Sequence, residues 1–163
     1  MDLTPYKVIA FSTHGLLVGE FKGLAEPSLV LTPPNVPTAL DDGLLTASEV
    51  AGLKLNADLV ILSACNTASA DATNGPEGFS GLTKAFLYAG SRSLLVSHWA
   101  VDSLATVALI TRFLTETEKG SSRADALRTS MLAMIDHPTD PILRHPAVWA
   151  PFVVVGEGAV GWR

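Results

Sequence analysis

The chain has 163 residues, of which 48% are hydrophobic and 17% charged, and its formal net charge is -5. This composition is typical of one ordered globular domain with a sizeable core. Because Lys and Arg are nowhere clustered, the sequence argues against nucleic-acid binding, which needs concentrated positive charge. No apolar run approaches the roughly 20 residues that span a bilayer, and the N-terminus has no signal-peptide pattern. The single cysteine forbids an internal disulfide and suits a reducing compartment, so we expect a soluble cytoplasmic protein with no membrane partner.

The first part of the chain predicts short strands and one short helix. Residues 6–11 are apolar nearly throughout and predict a strand that leads into Ser-Thr-His14-Gly15. Residues 16–21 predict a short strand or hairpin arm, and residues 28–32 predict another strand, followed by a loop over 33–43. Thr46 and Glu49 form a capping-box pattern, which predicts a short helix that ends near residue 53.

The second part of the chain predicts strands that alternate with longer helices. Residues 59–63 form a continuous apolar run, typical of a strand buried on both faces of a parallel sheet. Further strands are predicted at 93–97 and 149–155, with a loop over 136–148. Helical spacing predicts helices at 79–88 and 102–118, and a third that begins after Ser121 or Ser122, with its core stripe at Ala124, Leu127, Met131 and Met134. The alternation indicates an α/β fold with a mostly parallel sheet.

Two of these strands each end in small residues followed by a reactive side chain. His14 follows the first strand, and Cys65 follows the strand at 59–63. If the strands are parallel neighbours, both side chains emerge at one edge of the sheet. A histidine beside a cysteine lowers the pKa of the thiol and supplies a proton to a leaving amine, and the backbone N–H groups of Gly15 and Cys65 could hold an oxyanion. The alternative is a buried structural cysteine, because free Cys is among the most buried residue types.

Several sequence blocks resemble the conserved motifs of CHAT domains. CHAT domains are caspase-like peptidases of clan CD, related to separases and commonly found behind tetratricopeptide repeats in bacteria. The resemblance runs over about residues 4–157. The blocks that resemble the His and Cys motifs are residues 8–15 and 59–67, and further blocks in the same order are residues 42–49, 78–90, 97–102, 126–128 and 145–152.

This resemblance implies a three-layer caspase-like α/β sandwich that acts as a cysteine endopeptidase on peptide or protein substrates. Cys65 would attack the scissile carbonyl and His14 would protonate the leaving amine, while the amides of Gly15 and Cys65 stabilise the oxyanion. Trp99 and Asp102 are candidates for the pocket that binds the substrate residue before the cut. A plain helix N-cap is at least as good an explanation of Asp102. The resemblance implies no cofactor and no metal.

The sequence departs from the caspase-like pattern at its N-terminal side. The His strand is the third strand of caspase-like sheets but begins here near residue 6, so we expect a single domain over 1–163 whose first two strand–helix units are absent. The first strand is too apolar for an exposed edge, and we expect a tetratricopeptide-repeat protein or a second copy to complete the sheet. Two other functions stay open: a non-catalytic CHAT-type interaction module, inactive because its N-terminal part is missing, and a different cysteine hydrolase on a flavodoxin-like sheet.

Overall fold

The computed structural model describes residues 2–20, 22–38, 41–63, 81–100 and 102–158. The strands are Val8–Ser12 (β1), Gly15–Leu16 (β2), Ser28–Val30 (β3), Leu44–Thr46 (β4), Leu59–Ser63 (β5), Ser93–Ser97 (β6) and Phe152–Gly156 (β7). The helices are Ala47–Ala51 (α1), Gly81–Tyr88 (α2), Ser103–Glu118 (α3) and Arg123–Asp136 (α4), and two 3₁₀ turns span Pro141–Arg144 and Pro146–Val148. Among these described residues, none of the helices has the length and apolar character needed to cross a membrane.

The main sheet has four strands in the order β1-β5-β6-β7. β1, β5 and β6 are parallel, and β7 is antiparallel to β6. The expected mostly parallel sheet is therefore confirmed. β5 lies at its centre, with four consecutive residues from Leu59 to Leu62 buried, because both faces of the strand are covered.

Helices cover both faces of the main sheet, which gives the expected three-layer α/β sandwich. Val60 and Leu62 of β5 belong to the hydrophobic cluster on the side of α1 and α2. There the ring centroids of Phe11 and Phe86 lie 5.3 Å apart, so β1 is joined to α2 by an aromatic contact. Leu59 and Ile61 belong to the second cluster, on the side of α3 and α4. Because the side chains of β5 alternate between the two clusters, each residue at the end of the strand faces one defined layer of helices.

A small antiparallel sheet in the order β2-β3-β4 lies between β1 and α1 in the sequence. The arm predicted at 16–21 is wrong over residues 17–20, because the strand covers only Gly15–Leu16 and residues 17–20 form a turn, while residue 21 lies outside the described residues. β4 was not expected from the sequence, since its three residues gain a strand conformation only by pairing with β3. The capping box of α1 is confirmed: Thr46 Oγ1 accepts a bond from the N–H of Glu49, and the Glu49 carboxylate accepts one from the N–H of Thr46.

The second half of the chain follows the predicted element order, with three corrections. The strand predicted at 149–155 begins at Phe152, because the residues before it belong to turns that follow Pro146. The loop at 136–148 contains the two 3₁₀ turns. In α4, Leu127 and Met134 are buried as predicted, but Ala124 is exposed, because it lies about 100° around the helix from the buried Arg123. Helix α2 begins at Gly81, and its predicted first residue, Phe79, lies outside the described residues.

Candidate functional site

The strands that precede the two predicted catalytic residues end side by side in the sheet. Ser12 pairs with Ser63 in the parallel ladder between β1 and β5. In the sequence His14 follows Ser12 by two residues, and Cys65 follows Ser63 by two residues. The expectation of neighbouring parallel strands is thus confirmed. Cys65 itself lies outside the described residues.

The backbone around His14 is fastened to the end of β3. The hydroxyl of Thr13 donates a hydrogen bond to the carbonyl oxygen of Val30. The N–H of Val30 in turn donates to the carbonyl oxygen of His14 over 2.9 Å. These two bonds hold the residues before and at the histidine, while its side chain is exposed at the edge of the sheet. The small sheet therefore sets the position from which the imidazole projects.

Gly15, the predicted oxyanion donor, pairs with Leu29 in the β2–β3 ladder. The bond from the N–H of Val30 to His14 makes Gly15 and Leu29 a non-hydrogen-bonded pair, because such pairs alternate along an antiparallel ladder. The N–H of Gly15 is consequently directed away from β3 and takes no part in that ladder. A backbone donor in this orientation, one residue after the histidine, is the kind of group that stabilises an oxyanion.

A cavity of about 460 Å³ opens beside His14 at the carboxyl ends of the parallel strands. The last residues of the three strands, Ser12, Ser63 and Ser97, contribute to it together with Phe152. Ser63 lies on the same face of β5 as Ile61, because side chains alternate along a strand, and this is the face that α3 covers. The cavity is thus bounded on one side by the sheet and on the other by α3.

Helix α3 supplies the opposite wall of the cavity. Ser103, Val107 and Thr111 are exposed residues four positions apart on one stripe of the helix, and Thr106 and Ile110 stand beside them. Among the described residues that line the cavity, none is Asp, Glu, Lys or Arg. Hydroxyl groups and aliphatic side chains make up these walls, with His14 at the rim as the one titratable group among those residues.

The structure does not place Trp99 or Asp102 in the lining of this cavity. Oδ1 of Asp102 accepts hydrogen bonds from the N–H groups of Leu104, at 2.9 Å, and Ala105, at 3.2 Å, so the carboxylate is the N-cap of α3. The indole N–H of Trp99 donates to the carbonyl oxygen of Ala147 over 3.0 Å, and the side chain is 42% exposed. A substrate-binding role for either residue stays a prediction.

Sequence reasoning missed the residues that form the cavity itself. The three strand-terminal serines are a detectable signal, because each is a polar residue that ends a continuous apolar run. The sequence interpretation covers only the ends of the strands before His14 and Cys65, as small residues that precede a reactive side chain, and gives the serines no role. The stripe on α3 gives no such signal, since exposed Ser, Val and Thr residues on a helix are also typical of a solvated face.

The chain is similar to a known domain family and to two curated proteins. The family model described as CHAT domain matches residues 1–157. Tetratricopeptide repeat protein 28 of Homo sapiens is 32% identical over 118 residues, which are 72% of this chain and 5% of that protein. Tetratricopeptide repeat protein 28 of Mus musculus is 31% identical over 114 residues, which are 70% of this chain and 4% of that protein.

The chain therefore spans about a twentieth of the length of these relatives. Their names agree with the expected association of this domain with tetratricopeptide repeats. Both relatives are mammalian, so they lend no support to the bacterial setting expected from the family resemblance. Because the family model matches nearly the whole chain, the protein belongs to the CHAT domain family.

Proposed function

We propose that this protein is a cysteine endopeptidase that hydrolyses peptide bonds through a dyad of Cys65 and His14. The observation that carries the proposal is the pairing of Ser12 with Ser63, since each of these residues stands two positions before a member of the dyad. Chemistry in α/β proteins is concentrated at the carboxyl ends of parallel strands, and in the sequence both residues come directly after such strand ends.

The reaction proposed for this site proceeds through a covalent intermediate. The Cys65 thiolate attacks the carbonyl carbon of the scissile bond and forms a C–S bond, while the carbonyl oxygen becomes an oxyanion held by the N–H groups of Gly15 and Cys65. The C–N bond then breaks, and the leaving amine takes a proton from His14. Water attacks the resulting thioester and loses a proton to His14, which releases the acid product and restores the thiolate. This sequence needs no cofactor.

Three features of the described residues support this assignment. His14 is exposed at the rim of the cavity and is therefore accessible to a peptide. The N–H of Gly15 is directed away from the β2–β3 ladder. The cavity beside them is large enough for a substrate side chain, being within the range of about 300–1,000 Å³ typical of ligand sites. A pocket role for Trp99 or Asp102 is an expectation of the family resemblance alone, and neither residue lines this cavity.

The alternative is a CHAT-type interaction module without catalytic activity, which would bind a tetratricopeptide-repeat protein or another partner. The fold alone does not separate the two functions, because the same scaffold supports binding and catalysis. The dependence of Cys65 reactivity on His14 does separate them, since a thiolate activated by the histidine reacts faster than an ordinary cysteine and loses this gain when the imidazole is removed.

The experiment is to label the 163-residue chain with a peptide carrying a thiol-reactive acyloxymethyl ketone and to measure the rate by intact mass. The label reports on one site, because the chain has a single cysteine. We expect wild-type protein to react at least about 100-fold faster than N-acetylcysteine, and His14→Ala to lose that acceleration.

The matched control is His137→Ala, which removes another exposed histidine at the C-terminus of α4. We expect this variant to label at the wild-type rate. Cleavage of a quenched peptide library by wild-type protein, lost in Cys65→Ala, would complete the assignment. A labelling rate equal to that of N-acetylcysteine and unchanged by His14→Ala would contradict the dyad and favour the interaction module.

A further inference from the structure

The cavity beside His14 has walls whose chemistry restricts what side chain it can receive. Its described lining consists of hydroxyl groups from Ser and Thr, aliphatic side chains and one aromatic ring, apart from the imidazole at the rim. A charged side chain that leaves water needs an opposite charge or several hydrogen bonds in compensation. The described walls offer hydroxyls but no carboxylate, guanidinium or ammonium group.

Asp102, the residue before the cavity-lining Ser103, already accepts hydrogen bonds through its carboxylate. Asp102 immediately precedes α3, yet its Oδ1 accepts bonds from two backbone N–H groups of the first turn. Turning this carboxylate toward a basic substrate residue would leave those two donors without their cap, which destabilises the start of the helix. The same cap satisfies donors of the helix N-terminus that could otherwise attract an acidic side chain.

Ser103 stands at the point where α3 meets the cavity. It is the first residue of the helix, it is exposed, and it lines the cavity. Its neighbour Leu104 is 79% exposed and does not line the cavity. Ser103 and Leu104 therefore lie almost equally close to the N-terminus of the helix and its dipole, but only Ser103 faces the cavity.

We propose that this cavity receives the substrate side chain that precedes the cut, and that it selects an uncharged side chain over a basic or an acidic one. This inference rests on the proposed peptidase function. Val107, Ile110 and Phe152 would contact the aliphatic part of such a side chain, and the serine and threonine hydroxyls would serve a neutral hydrogen-bonding group. Ser103 is a specificity-determining position at the entrance.

The test compares four acyloxymethyl ketone peptides that differ only in the residue next to the reactive group: Leu, Thr, Arg or Asp. We expect wild-type protein to label at least about tenfold faster with the Leu or Thr peptide than with the Arg or Asp peptide, because the described walls carry no counter-charge. Each rate is divided by that of N-acetylcysteine with the same peptide, which removes the intrinsic reactivity of the probe.

A pair of variants tests whether the selection comes from this cavity. Ser103→Asp places a carboxylate at its entrance and should raise the ratio of the rate with the Arg peptide to the rate with the Leu peptide by about tenfold. Leu104→Asp adds the same charge one residue away, outside the cavity, and should leave all four rates unchanged. Both substitutions put an acidic residue in the first turn of a helix, where it is favourable, so both variants should fold.

The outcomes separate failure of this inference from failure of the proposed function. Rapid labelling that favours Arg or Asp in the wild type, or equal shifts in the two variants, overturns the inference and leaves the dyad standing. No labelling above the rate of N-acetylcysteine with any of the four peptides overturns the dyad, and the inference with it. Fast labelling by the Leu or Thr peptide, with the rate of the Arg peptide raised only in Ser103→Asp, supports both the dyad and the inference about the cavity.

Discussion

Ser12 and Ser63 lie opposite each other at the last paired position of the β1–β5 ladder. His14 comes two residues after Ser12, and Cys65 comes two residues after Ser63 in the sequence, so both predicted catalytic residues follow directly after adjacent strand ends. Both serines also line the cavity, which makes the end of this ladder the floor of the site.

Substitutions of Asp102 test whether its carboxylate caps α3 or contacts a substrate. Asp102→Asn keeps a side-chain oxygen that accepts from the first turn, so we expect unfolding free energy within about 0.5 kcal/mol of wild type. Asp102→Ala removes the acceptor and should cost about 1 kcal/mol. Urea unfolding measures both changes. We also expect Asp102→Asn to label with the Arg peptide at the wild-type rate, and a selective fall in that rate would show that the carboxylate contacts substrate.

The ion pair between Asp58 and Arg92 should be the most costly charge interaction to break in the described part of the chain. Asp58 is 1% exposed, and its Oδ1 lies 2.7 Å from Nη1 of Arg92. Arg92→Met leaves a buried carboxylate without this partner, and we expect a loss of about 2–4 kcal/mol in urea unfolding. The control is Lys119→Met, which breaks the more exposed pair with Glu116 and should cost about 0.5 kcal/mol or less. Equal losses in the two variants would contradict this assignment.

Gly90 should tolerate a side chain far less well than Gly120. Both have positive φ, at 108° and 93°, so alanine is strained at either position by about 1–2 kcal/mol. At Gly90 an added Cβ would also meet the carbonyl oxygen of Leu55, whereas at Gly120 it would meet no described atom within 4 Å. We expect Gly90→Ala to cost about 1–3 kcal/mol more than Gly120→Ala in urea unfolding. A similar cost for both would mean that the backbone near Leu55 relaxes.

The outer edge of β1 should mediate self-association. β1 pairs with β5 on one side and has no second neighbour among the described strands, and Val8 is 36% exposed there. We expect the mass measured by light scattering to rise with protein concentration, and Val8→Lys to suppress the rise, because charge on an edge strand opposes pairing. Val36→Lys is the control, since Val36 is a 76% exposed loop residue away from the sheets. A monodisperse monomer at high concentration would contradict this prediction.

The sequence predicts secondary structure best for elements whose residues are all buried. The apolar runs of β5 and β6 could be placed correctly because a strand buried on both faces needs a continuous hydrophobic run. The capping box at Thr46 and Glu49 was equally reliable, because both of its bonds are local. Phe11 and Phe86, by contrast, meet across 75 positions, and no local pattern indicates such a contact.

The candidate site could be predicted only in part. Family motifs indicated His14 and Cys65, but the hydroxyl-lined wall of α3 depends on how the helix packs over the ends of the strands. The attachment of His14 to Val30 joins residues 16 positions apart through backbone groups, which carry no sequence signal. Ala124 illustrates the converse error: an apolar residue near a helical stripe was assigned to the core, although it lies at the edge of the buried face.

The bonds that link Thr13 and His14 to Val30 make the imidazole dependent on a unit outside the main core. Three short strands and their turns must be in place before this histidine is held, whereas β5 can form within the central layers. Loosening the small sheet would therefore displace the imidazole while the sandwich stays folded. Under the proposed function, catalysis and global stability would then depend on different parts of one short polypeptide.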